Sequence, residues 1–303
     1  MRHATRVLPL ILLLVASCGG RTALEAGHVA YLAEIETWHA EREAALAAED
    51  GWLSLVGLHP IAPGVHTVGS GPEAALRLPD KAPAVLGTLE FTDPRYLVLE
   101  TAPGTSVVVE ERHRTGRIPM LWDAKSGPTQ VAVGTLRFFA IERGGEIYLR
   151  VKDSENPTRL YFAGIERFPV DPRWRVEARL VEREAPKGIV VPDVLGHLSD
   201  APCPGRLVFT LDGKECSLWP IGKPGEELFI VFADATSGTE TYGAGRFLSA
   251  PAPDAAGRVA LDFNRAVNPP CAFSAYATCP LPPEKNKLRV AVRAGEKIWG
   301  ESH

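Results

Sequence analysis

From Trp52 onward a glycine or proline interrupts the chain every few residues, and nothing else limits its fold as much. Proline fixes φ and removes a backbone donor, and glycine weakens a helix interior. With 28 glycines and 26 prolines in 303 residues, long helices give way to short strands and turns. One window escapes the punctuation. Leu24 to Asp50 lacks proline, is rich in alanine, glutamate and leucine, and repeats Val29, Leu32, Ile35 and Trp38 at helical intervals before Gly51. The fold class read from this pattern is mainly β, with an N-terminal helix followed by two β-rich units, each sandwich or barrel-like.

Short alternating runs place the strands. Tyr96 to Glu100, Val107 to Glu110, Thr135 to Ile141 and Glu146 to Val151 predict a first β-rich unit over residues 51–155. Four prolines between Glu182 and Gly205 mark the end of a connecting segment over residues 156–204. A second unit over residues 205–303 opens with Leu207 to Leu211 and Glu215 to Trp219 around Asp212-Gly213, a strong hairpin signal. Glu227 to Ala233 reads as a buried strand, and Thr239 to Leu248, Arg258 to Phe263 and Leu288 to Arg293 as three more.

The first residues carry an address. Arg2 and Arg6 precede an apolar run from Val7 to Ala16, which is shorter than the about 20 residues that span a bilayer. Residues 1–17 therefore read as an export signal. Val15-Ala16-Ser17-Cys18 resembles a bacterial lipobox, which predicts lipidation of Cys18, with residues 18–50 as tether and helix. The expected location is the periplasmic or extracellular face of a membrane, held there by lipid on Cys18. The formal net charge of −4 argues against a nucleic-acid partner.

No sharp catalytic or cofactor motif appears. A phosphate-binding Gly-x-x-x-x-Gly-Lys-[Ser/Thr] loop, a Gly-x-Ser-x-Gly elbow and a His-Glu-x-x-His helix are all missing, so no cofactor or metal is expected. His39-Ala-Glu41 lacks the Pro-Cys-x-x-Cys that would make it a deaminase site, and reads as the exposed face of the first helix. The proline-rich stretch from Asp262 to Pro283 cannot be ordinary helix or strand, and displays polar side chains from a stiff, irregular backbone. Asn264 and Asn268 within it can pin the loop or orient a small polar ligand. Upstream, Gly243 and Gly245 imply close backbone approach before Arg246, whose fork could meet Asp262 internally or a ligand anion. Asp234, at the end of the buried run, reads as a carboxylate bonding its own turn.

These residues define two readings. In the first, a binding or structural module of the cell envelope uses Tyr242, Arg246, Asp262, Asn264 and Asn268 as a site for a small polar or anionic ligand. In the second, a hydrolase uses Asp262 or Asp234 as general base and Arg246 to stabilise negative charge. An enzyme needs its carboxylate open to a cleft, whereas a structural cluster has every member bonded internally.

Beyond Cys18, Cys203, Cys216, Cys271 and Cys279 allow three disulfide pairings. Cys271 with Cys279 closes only a short loop and is the candidate disulfide. The hairpin turn would set Cys216 opposite Phe209 and leave Cys203 well along the strand. A four-cysteine zinc site lacks the usual Cys-x-x-Cys spacing.

The run from Phe229-Ile-Val-Phe-Ala-Asp through Thr241-Tyr and Gly245-Arg-Phe-Leu resembles the proteins grouped as domain of unknown function 1684. So do Leu261-Asp-Phe-Asn-Arg-Ala, Asn268-Pro-Pro-Cys-Ala-Phe, Cys279-Pro-Leu-Pro-Pro and Ala294-Gly-Glu-Lys, with Gly51-Trp-Leu and Phe168-Pro-Val-Asp-Pro-x-Trp upstream. The resemblance implies membership and no activity. Cys271 and Cys279 fit the family pattern, while Cys203 and Cys216 look like additions. A fainter likeness links residues 55–151 to forkhead-associated β-sandwiches, through Gly64-Val-His-Thr-Val-Gly-Ser, Leu76-Arg-Leu-Pro and Gly134-x-Leu. Ser70 stands where their phosphate-binding arginine would be, so phosphopeptide binding is not implied.

Overall fold

The computed structural model describes residues 18–93, 96–123, 127–182 and 188–300. The predicted export signal, residues 1–17, lies outside them, as does the side chain of Cys18. Helix α1 (Cys18–Leu46) leads the chain. Ile35, His39 and Leu46 form its buried stripe, with Tyr31, Trp38 and Arg42 beside them. Val29, expected on that stripe, is 64% exposed, because the inner face lies further along the helix. Gly51 ends the turn that follows: a Cβ there would stand 2.3 Å from the Leu46 carbonyl oxygen. No helix among the described residues is long and apolar enough to cross a membrane.

Two sheets build the first unit. One orders β1 (Leu55–Pro60), β11 (Glu146–Asp153), β10 (Leu136–Arg143), β9 (Val131–Val133), β6 (Val107–Val109) and β7 (Arg112–Arg114). The other orders β3 (Leu76–Arg77), β2 (Gly64–Gly69), β4 (Gly87–Asp93), β5 (Tyr96–Thr101) and β8 (Arg117–Pro119). Leu89 and Leu99 from the second sheet share one apolar core with Phe138 and Leu149 from the first. That shared core makes the unit a sandwich. Strand β11 is buried on both faces. Ile147, Leu149 and Val151 face the sandwich core. Tyr148 packs with Phe139, Ile141 and Leu58 on the other side, and Arg150 reaches the second unit through Thr278 at 2.9 Å.

A short helix, α2 (Pro157–Leu160), follows. The second unit starts earlier than the connecting segment suggested, because β12 (Arg175–Glu182) is central to its main sheet. That sheet orders β16 (Lys214–Leu218), β15 (Gly205–Leu211), β12 and β19 (Arg258–Asp262). The hairpin β13 (Ile189–Pro192) and β14 (Leu198–Ala201) also falls within the expected connection. Strands β17 (Leu228–Phe232) and β18 (Arg246–Ala250) form a second pair, with Phe232 opposite Arg246. Asp212 and Gly213 make the hairpin turn at φ of 48° and 73°, and Cys216 sits opposite Phe209, as the spacing required.

Two expected strands change character. Residues 239–245 form turns, and β18 starts only at Arg246. Leu288 to Arg293 keeps the strand-like alternation, burying Leu288, Val290 and Val292, yet it joins no sheet ladder. The backbone of residues 233 and 235 bonds Leu288 and Val290, whereas the side chains of Asp234 and Arg246 bond the backbone of Val292.

Candidate functional site

Arg246 is fully buried, and its partner is Asp234 rather than the expected Asp262. Nη2 donates to Asp234 Oδ2 at 2.8 Å and to the Val292 carbonyl at 2.8 Å. Nη1 donates to the carbonyls of Ala294 and, at 3.4 Å, Glu296. The guanidinium also lies 5.3 Å from the Phe232 ring centroid. Burial lowers the Arg246 pKa and Asp234 opposes the shift. Asp234 Oδ1 accepts from the Thr236 amide at 2.8 Å, the Thr236 hydroxyl at 2.6 Å and the Val292 amide at 3.1 Å. The turn bond expected of Asp234 is present. So is a larger role: the pair supplies donors and acceptors that a neighbouring strand would otherwise give residues 292–296. Neither side chain can meet a ligand from solvent.

Asn268 and Tyr242 are also turned inward. The Asn268 amide donates to Glu296 Oε2 at 2.6 Å, its Nδ2 to the Lys297 carbonyl at 2.7 Å, and its carbonyl accepts from Arg42 Nη2 at 3.0 Å. Glu296, 1% exposed and 3.5 Å from Arg42 Nε, has its pKa raised by burial. The Tyr242 hydroxyl donates to the Cys271 carbonyl at 3.1 Å, and burial pushes its pKa above the ordinary value.

Asp262 and Asn264 belong to a different place, at the end of β19. Asp262 caps the short turn Phe263–Arg265 by accepting from the Asn264 amide at 3.1 Å. The Tyr31 hydroxyl from α1 lies 3.0 Å from both carboxylate oxygens, and Asn264 Nδ2 lies 3.1 Å from Oδ1. Asn264 also accepts from the Asp171 amide at 3.1 Å. Burial, then the Asp262 charge, pushes the Tyr31 hydroxyl pKa well above its usual range. His39, expected to be exposed, is 2% exposed, with Nε2 3.1 Å from the Asn264 carbonyl. A carbonyl only accepts, so Nε2 carries the hydrogen. Burial lowers its pKa to about 4.

Beside Asp262, between α1 and the sheet, runs a cleft of about 380 Å³ lined by Glu34, Trp38, Arg175, Glu227 and Arg265. Arg265 pairs with Glu34, stands 5.5 Å from the Trp38 ring and comes within 3.9 Å of Asp262. Arg175 lies over the Tyr31 ring at 5.5 Å and pairs in register with Asp262 across β12 and β19. The structure thus separates the five expected ligand residues, leaving Asp262 in the cleft wall with buried Asn264 bonded behind it. It adds Trp38, Arg175 and Arg265 to the wall, and Tyr31 as the residue that holds Asp262. Arg265 follows Asn264 directly, and Tyr31 and Trp38 lie seven residues apart on one helix face, which were the signals available. The walls carry both charges and an aromatic surface, suited to holding a small charged molecule. Among the described residues, no group of three or more His, Cys, Asp or Glu side chains could hold a metal ion.

Cys203, Cys216, Cys271 and Cys279 are thiols in this structure. Cys203 and Cys216 sit in separate apolar clusters. Cys271 and Cys279 share one, and the Cys271 amide donates to Cys279 Sγ at 3.1 Å.

No curated protein matches the chain. The solution structure of an uncharacterized protein from Haloarcula marismortui is 36% identical over 46% of this chain and 78% of its own, with a TM-score of 0.38. The FHA domain of a Chlamydia trachomatis protein matches at 18% identity over 33% of this chain and 95% of its own. Its TM-score is 0.22. The model of the family described as protein of unknown function, DUF1684, matches residues 160–297, which hold the buried Arg246–Asp234 pair and one wall of the cleft. By that match and the 36% identity, the chain belongs to the DUF1684 family.

Proposed function

We propose that this chain is an exported lipoprotein of the cell envelope that binds a small charged ligand in the cleft beneath α1. The observation that carries this reading is Asp262, fixed by Tyr31 and Asn264 beside the cleft that Arg175 and Arg265 line. Ordered charges of both signs beside an aromatic wall cost little further entropy when a ligand arrives. The alternative hydrolase needs Arg246 at the substrate as anion stabiliser, with Asp262 or Asp234 as general base, and the burial of Arg246 and Asp234 speaks against it. A helix rises about 1.5 Å per residue, so lipid on Cys18 would hold Tyr31 to Trp38 roughly 20–30 Å along α1 from the anchor.

The test is calorimetric titration of a panel of amino acids and short dicarboxylates into the full chain and into Asp262→Asn and Arg265→Ala. Binding to the parent that both variants weaken at least about tenfold supports the site. Binding that neither variant changes, or none from any member, rejects it. Fatty-acid labelling of cells making the parent or Cys18→Ala reads the anchor separately. Label that persists on the variant would rule out lipid at Cys18.

A further inference from the structure

The proline-rich loop that closes between Cys271 and Cys279 has a construction the ligand cleft does not explain. Cys279 is 3% exposed, whereas Cys271 is half-buried, so Cys271 is the more accessible of the two. The Cys271 amide holds Cys279 Sγ at 3.1 Å, and the Tyr242 hydroxyl holds the Cys271 carbonyl at 3.1 Å. Both ends of the loop are therefore fixed. The residue before Cys279 is Thr278, whose hydroxyl accepts from Arg150 Nη2 at 2.9 Å and Arg143 Nε at 3.2 Å. Those arginines stand on β11 and β10 of the first unit, so this loop bridges the two units. The Cys279 carbonyl in turn accepts from the Val194 amide at 3.0 Å.

We propose that Cys271 and Cys279 form a redox-active dithiol that exchanges with disulfides, Cys271 attacking first and buried Cys279 resolving. The Cys271 thiolate attacks one sulfur of an external disulfide, forming a mixed disulfide and releasing one thiol. The Cys279 thiolate then attacks Cys271 Sγ and expels the second thiol, leaving the internal disulfide. Two protein thiols are oxidised, one external disulfide is reduced to two thiols, and every atom is conserved. The order follows from access and acidity together. The thiol–thiol hydrogen bond with Cys279, aided by Tyr242, holds the Cys271 thiol below its ordinary pKa against burial, whereas the same thiol–thiol bond and burial push Cys279 up despite the Cys271 amide. The disulfide closes the loop that carries Thr278, so the redox state of the pair sets how firmly the first unit docks on the second.

The experiment treats the folded full chain with glutathione disulfide, quenches with acid, alkylates and maps the peptides carrying Cys271 and Cys279. Glutathione should appear transiently on Cys271 and give way to the internal disulfide, with Cys203 and Cys216 left as thiols. Cys279→Ser should trap glutathione on Cys271, and Cys271→Ser should leave Cys279 at least about tenfold slower to react than Cys271 is in the parent. A stable mixed disulfide in the parent, pairing of Cys271 with Cys203 or Cys216, or first attack by Cys279 would each overturn the proposal. The parent's time course alone decides among these, should a variant fail to fold.

Discussion

Arg246→Ala removes a fully buried cation and leaves Asp234 charged in the core, with the carbonyls of Val292, Ala294 and Glu296 short of donors. Breaking a buried ion pair from one side costs about 3–5 kcal/mol. Each buried carbonyl left unsatisfied costs a further 1–3 kcal/mol or so, partly recovered by relaxation, so the upper end of that range is expected. With a urea dependence of about 1–3 kcal/mol per molar, the midpoint should fall by more than about 1 M. The double variant Arg246→Met with Asp234→Leu is the sharper probe. A simple buried pair replaced by apolar residues is often neutral or stabilising. Here the Val292 amide and the Val292 and Ala294 carbonyls would lose their side-chain partners, so the double variant should stay well below the parent. Arg246→Lys, with one compact ammonium in place of a fork, should fall between parent and alanine. A loss under about 1 kcal/mol for Arg246→Ala, or a double variant as stable as the parent, refutes the idea that this pair substitutes for a strand.

Tyr31→Phe should cost about 1 kcal/mol by urea denaturation, since it deletes the hydroxyl shared by Asp262 and Asn264. Gly295→Ala should cost more than about 1 kcal/mol in the same assay. Gly295 has φ of 73°, and its new Cβ would stand 2.3 Å from the Ala266 carbonyl oxygen. His39 titrates near 4 in the fold against 6.5 for the free side chain, so the unfolded chain binds the extra proton in between. Its contribution is therefore present above pH 6.5 and lost as pH falls toward 4, and NMR titration should show a neutral ring at pH 5. Glu296 runs the other way. Its raised pKa means that stability falls as pH climbs above about 4.3, the free glutamate value, and Glu296→Gln should flatten that slope in pH-dependent denaturation.

Local chemistry was readable where the chain solves its own geometry. Asp212-Gly213 adopts the left-handed pair that a two-residue hairpin needs, and the facing of Cys216 and Phe209 follows from it. Where partners come from afar, the pattern misleads. Leu288 to Arg293 alternates like a strand and buries like one, yet its hydrogen bonds come partly from Asp234 and Arg246, which no local window contains. Strand β12 was hidden for the opposite reason, because Arg175-Val-Glu-Ala-Arg-Leu-Val-Glu alternates charge with apolar residues and sits upstream of prolines. At the site, Asp262 and Asn264 stood out by composition. Tyr31, which completes their network, lies 231 residues from Asp262. His39 shows the same limit, since a helix periodicity gives a face and not the surface that covers it.

The buried pair also has a consequence for the order in which this molecule can be assembled. Arg246 waits for carbonyls 46 to 50 positions further along the chain, and Asp234 waits for the amide of Val292. A chain emerging residue by residue would hold β17 and β18 early, with two opposite charges between them and no backbone to satisfy. In a chain lacking residues 292–296 the pair would keep its own bond and lose the backbone partners of both side chains. The last residues of the second unit, 292–296, thus complete the hydrogen bonding of a pair whose own strands lie far upstream.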